Sequence, residues 1–366
     1  MDRTELREIY RTFTLTPAPS GYESRMAQAL SAQFGRFTDD VRIDKVGNVI
    51  ATFPGTDPSA PKVMAFSHMD SLGFIVRRID DDGFIRVDRL GGIPEKVLPA
   101  KPVLICREDG TDWVPGVFGF KAHHITPPEE KYRVNTLPEL YIDIGAESAE
   151  EVRAAGIEVG CPVVYAPQNT PVLNGRVVTT FRDNRSGCTA LVKAASLLKD
   201  REHPCTVYLV GTVWEEFNLR GAMMANRTAR ADIALSVDGG GSGDTPDTRS
   251  QNSVKVGGGP VITKYNFHGR GTLNGAIANR HLFDLAVACA EREGIPVQRR
   301  AGIGGLTDSA YMQLENDGVA ILDMGSPGRY AHSPAELSQL SDIEQTGELV
   351  AAIVTSLDAS FDVKRF

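Results

Sequence analysis

Two stretches near the amino terminus carry apolar residues at helical spacing. Residues 6–13 form one and residues 23–34 the other, with Met26, Leu30 and Phe34 at four-residue steps. Thr16-Pro17-Ala18-Pro19-Ser20-Gly21 parts them, since proline and glycine cannot carry a helix onward. Short apolar runs at 41–43, 49–53 and 62–66 read as strands, the last ending at Ser67-His68-Met69-Asp70. Between residues 73 and 165 the texture changes. Brief apolar stretches alternate with Asp81-Asp82-Gly83, Gly91-Gly92, Asp109-Gly110 and Pro127-Pro128, and only 149–155 suits a helix. Such close spacing predicts a small β-barrel or sandwich. After Pro167, helices at 187–198, 220–226, 276–292 and 343–357 interleave with strands at 205–213, 233–237 and 319–323. That alternation predicts a mainly parallel sheet with helices on both faces. The expected fold is therefore an α/β domain from residues 1–72 and 166–366, interrupted by an inserted β-rich domain over 73–165.

A chain of 366 residues exceeds the usual span of one hydrophobic core, which agrees with that division. Its 47 acidic against 39 basic residues give a formal charge of -8, with no basic block to meet a phosphate backbone, so nucleic acid is not an expected partner. No apolar run reaches the roughly 20 residues that cross a bilayer, and the opening Met1-Asp2-Arg3-Thr4-Glu5 alternates charges where a signal peptide is apolar. No membrane partner is expected, and the expected location is cytoplasmic. Five scattered cysteines without a Cys-x-x-Cys pair read as reduced, mostly buried thiols.

Candidate chemistry gathers where predicted strands end, the usual place for ligands on open α/β sheets. His68-Met69-Asp70, Asp183-Asn184, Glu215-Glu216, Asp238 and His332 lie at or near such places. Each alone has an ordinary explanation: a surface turn for His68 and Asp70, a solvated helix start for Glu215-Glu216, a cap for Asp183, a turn for Asp238. Together they pile up carboxylates whose mutual repulsion is costly without a cation. Two histidines with three or four carboxylates suit Zn²⁺, Co²⁺ or Mn²⁺ better than Ca²⁺, and a pair of such ions resolves the charge. One carboxylate is then left over to act as a base.

The runs Ser67-His68-Met69-Asp70-Ser71-Leu72-Gly73-Phe74, Asp183-Asn184-Arg185-Ser186-Gly187-Cys188, Glu215-Glu216-Phe217-Asn218-Leu219-Arg220-Gly221-Ala222, Ser236-Val237-Asp238 and Arg329-Tyr330-Ala331-His332-Ser333-Pro334 resemble the M42 family of metallo-aminopeptidases, the glutamyl and tetrahedral aminopeptidase group. Segments 140–146 and 160–164 also resemble that family's inserted domain, so the likeness spans almost the whole chain. The resemblance implies a first metal on His68, Asp183 and Asp238, and a second on Asp183, Glu216 and His332, with Asp183 as the bridge. Glu215 would be the general base, and Asp70 would sit behind His68, accepting its N–H and fixing the tautomer. It further implies peptides with a free amino terminus as substrates, and a dimer-based homo-oligomer, up to a tetrahedral particle of twelve subunits.

The chain departs from the family pattern at Ser71, Arg182 and Gly239-Gly240-Gly241, and by an extra residue within Gly304-Gly305-Leu306-Thr307-Asp308. None removes a ligand, but all are candidates to line the pocket. Arg220 and Arg329 are either binders of an acidic first residue or structural groups. His123-His124 has no acidic company and reads as packing or interface, and Gly257-Gly258-Gly259-Pro260 as a turn at a close backbone approach. Thr307-Asp308 either orients a ligand or caps the next helix. Two other functions share these residues: a related two-metal deacylase or carboxypeptidase, and a silent assembly protein. All six positions are filled, which stands against the second.

Overall fold

The computed structural model describes residues 1–269 and 275–365. Its centre is the strand Val63–His68, buried along its whole length. Side chains alternate across a strand, so Val63 and Ala65 enter one apolar cluster while Met64 and Phe66 enter another. The neighbouring strands repeat the division, with Leu209 and Leu235 in the first cluster and Val210 and Ala234 in the second. Helices Arg3–Thr14, Ser24–Phe34, Arg182–Leu198, Arg280–Glu293 and Leu340–Val354 cover the first face through residues such as Leu6, Leu30, Leu191, Leu282 and Val350. Gly221–Ala229 and Ser309–Met312 cover the second through Ala222, Ala225 and Met312.

The sheet has nine strands and is mixed, which corrects the expectation of a mainly parallel one. Its middle is parallel: Val207–Thr212, Val63–His68, Ile233–Val237 and Ala320–Gly325 lie side by side. On one flank Val49–Phe53 and Val41–Ile43 run antiparallel. Only a hairpin fits there, because a parallel crossover needs about a dozen residues and the five residues 44–48 form a turn, with Asp44 accepting N–H bonds from Val46, Gly47 and Asn48. On the other flank Val261–Phe267 is antiparallel to Ala320–Gly325 and parallel to Gln298–Ile303.

The helix expected at 276–292 starts later, at Arg280. Residues Gly275–Ile277 are instead a strand paired with Val261–Phe267, and the Asn279 side chain caps the helix by accepting the Leu282 N–H at 3.1 Å. Asn169–Pro171, Arg176–Thr179 and Glu336–Gln339 form a separate antiparallel sheet that the sequence reading did not separate from loop. Six strands between Gly73 and Tyr165 close into a barrel, in the order Gly73–Ile79, Ile85–Leu90, Ile142–Asp143, Trp113–Phe118, Pro102–Cys106, Pro162–Tyr165. They enclose their own apolar cluster, in which Phe74 packs edge-on against Phe118 and Tyr165. All five cysteines are free and buried, and no described helix is long and apolar enough to cross a membrane.

Parallel register puts Thr212 beside His68 and Ser236 beside Phe66, so three strands end level. Helix Arg182–Leu198 closes on those ends at Gly187, where an added Cβ would stand 2.2 Å from the Val237 carbonyl oxygen and 2.3 Å from the Ser67 hydroxyl. Gly187→Ala is therefore expected to destabilise the fold by about 1–3 kcal/mol, read as a melting point several degrees below that of the control Gly305→Ala, whose added methyl meets nothing. Equal melting points would show that the helix moves aside freely.

Candidate metal centre

His68 is the last residue of its strand, and the next strands deliver Glu215-Glu216 and Asp238 just past their own ends. Asp183 arrives from across the site. Phe181 has left-handed backbone angles, and Asp183 and Asn184 depart from helical ones, so the chain bends before the helix proper begins. The Asn184 side chain anchors that bend, donating to the Val237 carbonyl at 3.0 Å and accepting the Gly187 N–H at 3.0 Å. Asp183 is not a helix cap; its carboxylate points to the histidines.

One oxygen of Asp183 lies 3.1 Å from His68 Nε2, and the other lies 3.9 Å from His332 Nε2. His68 Nε2 is also 3.9 Å from Glu215 and 4.0 Å from Asp238, while His332 Nε2 is 4.0 Å from Glu216. Donors held about 2.0–2.2 Å from a zinc-sized ion at tetrahedral angles stand roughly 3.3–3.6 Å apart, a spacing these distances bracket. Two overlapping groups, His68 with Asp183 and Glu216, and His68 with Glu215 and Asp238, each converge closely enough to share an ion. Buried Glu216 Oε1 has no hydrogen-bond donor among the described residues. An orphaned oxygen facing a histidine fits a cation ligand.

Asp70 stands behind this front. Its carboxylate accepts the N–H groups of Glu215 and Glu216, both at 3.1 Å, and the Ser20 hydroxyl at 2.7 Å. His68 Nδ1 meets the Asp70 backbone carbonyl at 3.1 Å and its carboxylate at 3.5 Å. The side chain thus chiefly holds the Glu215-Glu216 turn, while the backbone carbonyl has the shorter contact with the imidazole. Glu336 was not singled out from sequence, yet it accepts the N–H of Asp183 at 3.1 Å and of His332 at 3.0 Å. The only sequence signal was a carboxylate four residues after His332. Gly92 was also missed; its carbonyl meets His332 Nδ1 at 2.7 Å.

The remaining candidates sort plainly. Arg329 is committed to a two-pronged pair with Asp244, at 2.8 and 2.7 Å, and Arg220 stacks on Phe217. Neither faces the cavity above the cluster. Asp308 is buried at the start of its short helix without capping it through its side chain, and its Oδ2 accepts the Thr212 hydroxyl at 3.4 Å. Gly257 and Gly259 make the expected close approach, donating their N–H groups to Asp342 at 2.7 and 3.1 Å. His123 and His124 sit in a short turn outside any described metal-like cluster.

Known proteins match this architecture. The description of the M42 glutamyl aminopeptidase family matches residues 47–349. The chain belongs to that family. As an M42 aminopeptidase it is a hydrolase acting on amino-terminal peptide bonds. Its sequence is 32% identical to a lysyl aminopeptidase of Pyrococcus furiosus, over 96% of this chain and 97% of that one. Among solved structures, the aminopeptidase APDkam598 of Desulfurococcus kamchatkensis superposes with a TM-score of 0.91 at 32% identity, covering 98% of this chain and 96% of the other. The Pyrococcus horikoshii TET1 peptidase, described as assembling into a tetrahedron or a large octahedral shell, superposes at 0.83 with 30% identity, over 96% and 100%.

Electrostatics of the M42 cluster follow from burial. Burial first, and then Asp183, pushes Asp238 up to about 7; burial also takes Glu216 to about 8 against the pull of His332, and lifts Glu215 well above the carboxylate range. Burial acts to lower both histidines, but Glu215 and Asp183 outweigh it at His68, and Glu216 and Asp183 raise His332 to about 9. At Asp183 burial is outweighed by the bond and charge of His68, giving about 2. In cation-free protein every raised group makes the folded state bind more protons than the unfolded chain, from the ordinary carboxylate range up to about pH 9. Stability should therefore fall as pH rises through that window, whereas Asp183 acts only below it. Melting curves of chelated protein at acidic, neutral and alkaline pH should show this fall, and added Zn²⁺ or Co²⁺ should raise the melting point most at the alkaline end. A metal effect independent of pH would speak against the cluster as its site.

Proposed function

We propose that the cluster holds two divalent ions and that the chain removes the first residue of peptides with a free amino terminus. The observation that carries this reading is Asp183, one carboxylate oxygen toward each histidine, ringed by Glu215, Glu216 and Asp238. His68, Asp183 and Asp238 would hold one ion, and Asp183, Glu216 and His332 the other, with Zn²⁺ or Co²⁺ the best match and Mn²⁺ next. When bound, the ions lower the pKa of a water and polarise the substrate carbonyl. Glu215, buried and held by its backbone N–H on Asp70, takes the proton of the attacking water and passes it to the leaving amine. Asp70 and Glu336 keep the ligand-bearing turns in place through backbone hydrogen bonds.

Residues 73–165, with their own core, serve in this reading as an inserted domain governing assembly and access. The dodecamer and the shells described for TET1 relatives support homo-oligomerisation, taken in this reading as dimer-based and of up to twelve subunits. The proposed location is cytoplasmic.

Glu215→Gln should keep the wild-type metal content and lose turnover by about 10²–10⁴-fold, whereas His68→Ala and Asp183→Ala should lose metal; elemental analysis beside an aminoacyl-reporter assay reads both. Full turnover in Glu215→Gln would remove it as the base. Peptides with a free amino terminus should be cleaved and their N-acetylated forms left intact, and the reverse pattern would make the enzyme a deacylase. Glu336→Ala should weaken metal affinity by about 10–100-fold in a chelator competition; unchanged affinity would reduce Glu336 to a local packing role.

A further inference from the structure

The cavity above the cluster, of about 510 Å³, has two unlike walls. One wall is the acidic metal cluster. The other is formed by Asn218, Asn266, His268, Arg300, Thr307 and Tyr311 together with the glycine-rich run around Gly304. Outside the cluster no described carboxylate lines it, and its basic side chains are His268 and Arg300.

Arg300 has the stronger claim on a ligand. It lies on Gln298–Ile303, in register with Thr263 on the next strand, which in turn pairs with Asp323. Its guanidinium makes no ion pair within 4.0 Å and no side-chain hydrogen bond among the described residues. The two carboxylates nearest in charge are already engaged. Asp238 belongs to the cluster, and Asp323 accepts the Thr307 hydroxyl at 2.8 Å and the Ser309 hydroxyl. Room for the guanidinium comes from missing side chains: a Cβ on Gly240 would stand 3.2 Å from its Nη1, and one on Gly302 3.1 Å from its Nε and Nη2. One departure from the family pattern, the run Gly239-Gly240-Gly241, thus borders this arginine through Gly240. A half-buried guanidinium with free donors and no partner is an anion site, because its planar fork matches a carboxylate.

We propose that Arg300 makes this enzyme selective for an acidic first residue, by receiving the side-chain carboxylate of an amino-terminal Glu or Asp. The inference rests on the aminopeptidase reading of the same cavity. Membership alone does not decide the matter, since the family description speaks of glutamyl activity and a relative is named for lysyl activity. A first residue with its amine at the cluster turns its side chain into the remaining volume, where Arg300 waits. A glutamine there leaves the guanidinium without its charged partner, and a lysine meets a like charge.

The test compares reporters sharing one uncharged leaving group and differing only in the first residue: Glu, Asp, Gln, Leu and Lys. In wild type, kcat/KM for Glu should exceed that for Gln by about 10–100-fold. Ratios within one preparation cancel any general loss of activity. In Arg300→Gln the Glu-to-Gln ratio should fall toward one, and in Arg300→Glu the Lys reporter should overtake the Glu reporter. Should those variants fail to fold, wild-type inhibition by free glutamate, at least tenfold stronger than by glutamine or lysine, carries the test. Cleavage of Leu and Gln reporters without preference for Glu would overturn the specificity and leave the aminopeptidase reading standing. An acid preference retained in Arg300→Gln would overturn the role of Arg300, and hydrolysis of no reporter at all would overturn both readings.

Discussion

The structure depends on bringing negative charge together in a largely buried cluster, where water screens it poorly. Four carboxylates and two imidazoles meet at the level ends of parallel strands, mostly buried. Backbone N–H groups do much of the holding: Asp70 grips the turn carrying Glu215 and Glu216, and Glu336 grips the turns carrying Asp183 and His332. These two acids are themselves fixed by dipoles that cannot move away. The ligand carboxylates are thereby denied the easy escape of rotating toward solvent, and a cation becomes the natural way to settle their repulsion.

Backbone strain is concentrated in the same place. Among the described residues, ten other than glycine have left-handed backbone angles, and six of them flank the cluster: Phe181, Trp214, Asn218, Leu219, Tyr330 and His332. Such conformations cost about 1–3 kcal/mol each. The cores on the two faces of the sheet surround these turns and keep the chain from relaxing them. Fold stability is thus converted into placement of side chains at the site.

The ligand set was legible because it lies at ends of strands whose apolar runs are unmistakable, and because the surrounding runs carry a family likeness. The sheet holding Glu336 was not, since a strand such as Asn169–Pro171 is too short for its periodicity to show. Glu336 escaped notice for a different reason: its partners are backbone N–H groups, which leave no mark in a sequence. Arg300 was hidden by its neighbour, because Arg299-Arg300 looks like solvated charge until the strand alternation turns one of the pair inward. Conversely Arg329, a candidate on paper, is taken by Asp244 from a segment 85 residues away, which no local pattern reveals.

Arg182 adds a consequence for how such a chain can change. It is fully buried, donates to the Ser326 carbonyl at 2.7 Å, and occupies space that a Cβ on Gly239 or Gly328 would enter, at 2.4 and 2.0 Å. Its bulk and the two bare backbone positions are therefore one fitted unit assembled from three distant segments. Evolution or design cannot trade these residues singly: a larger side chain at 239 is tolerable only after the arginine has shrunk, and a smaller residue at 182 leaves a hole until a glycine has grown. A chain with the opposite pattern at these positions would differ from this one by a coupled set of residues, not by independent ones.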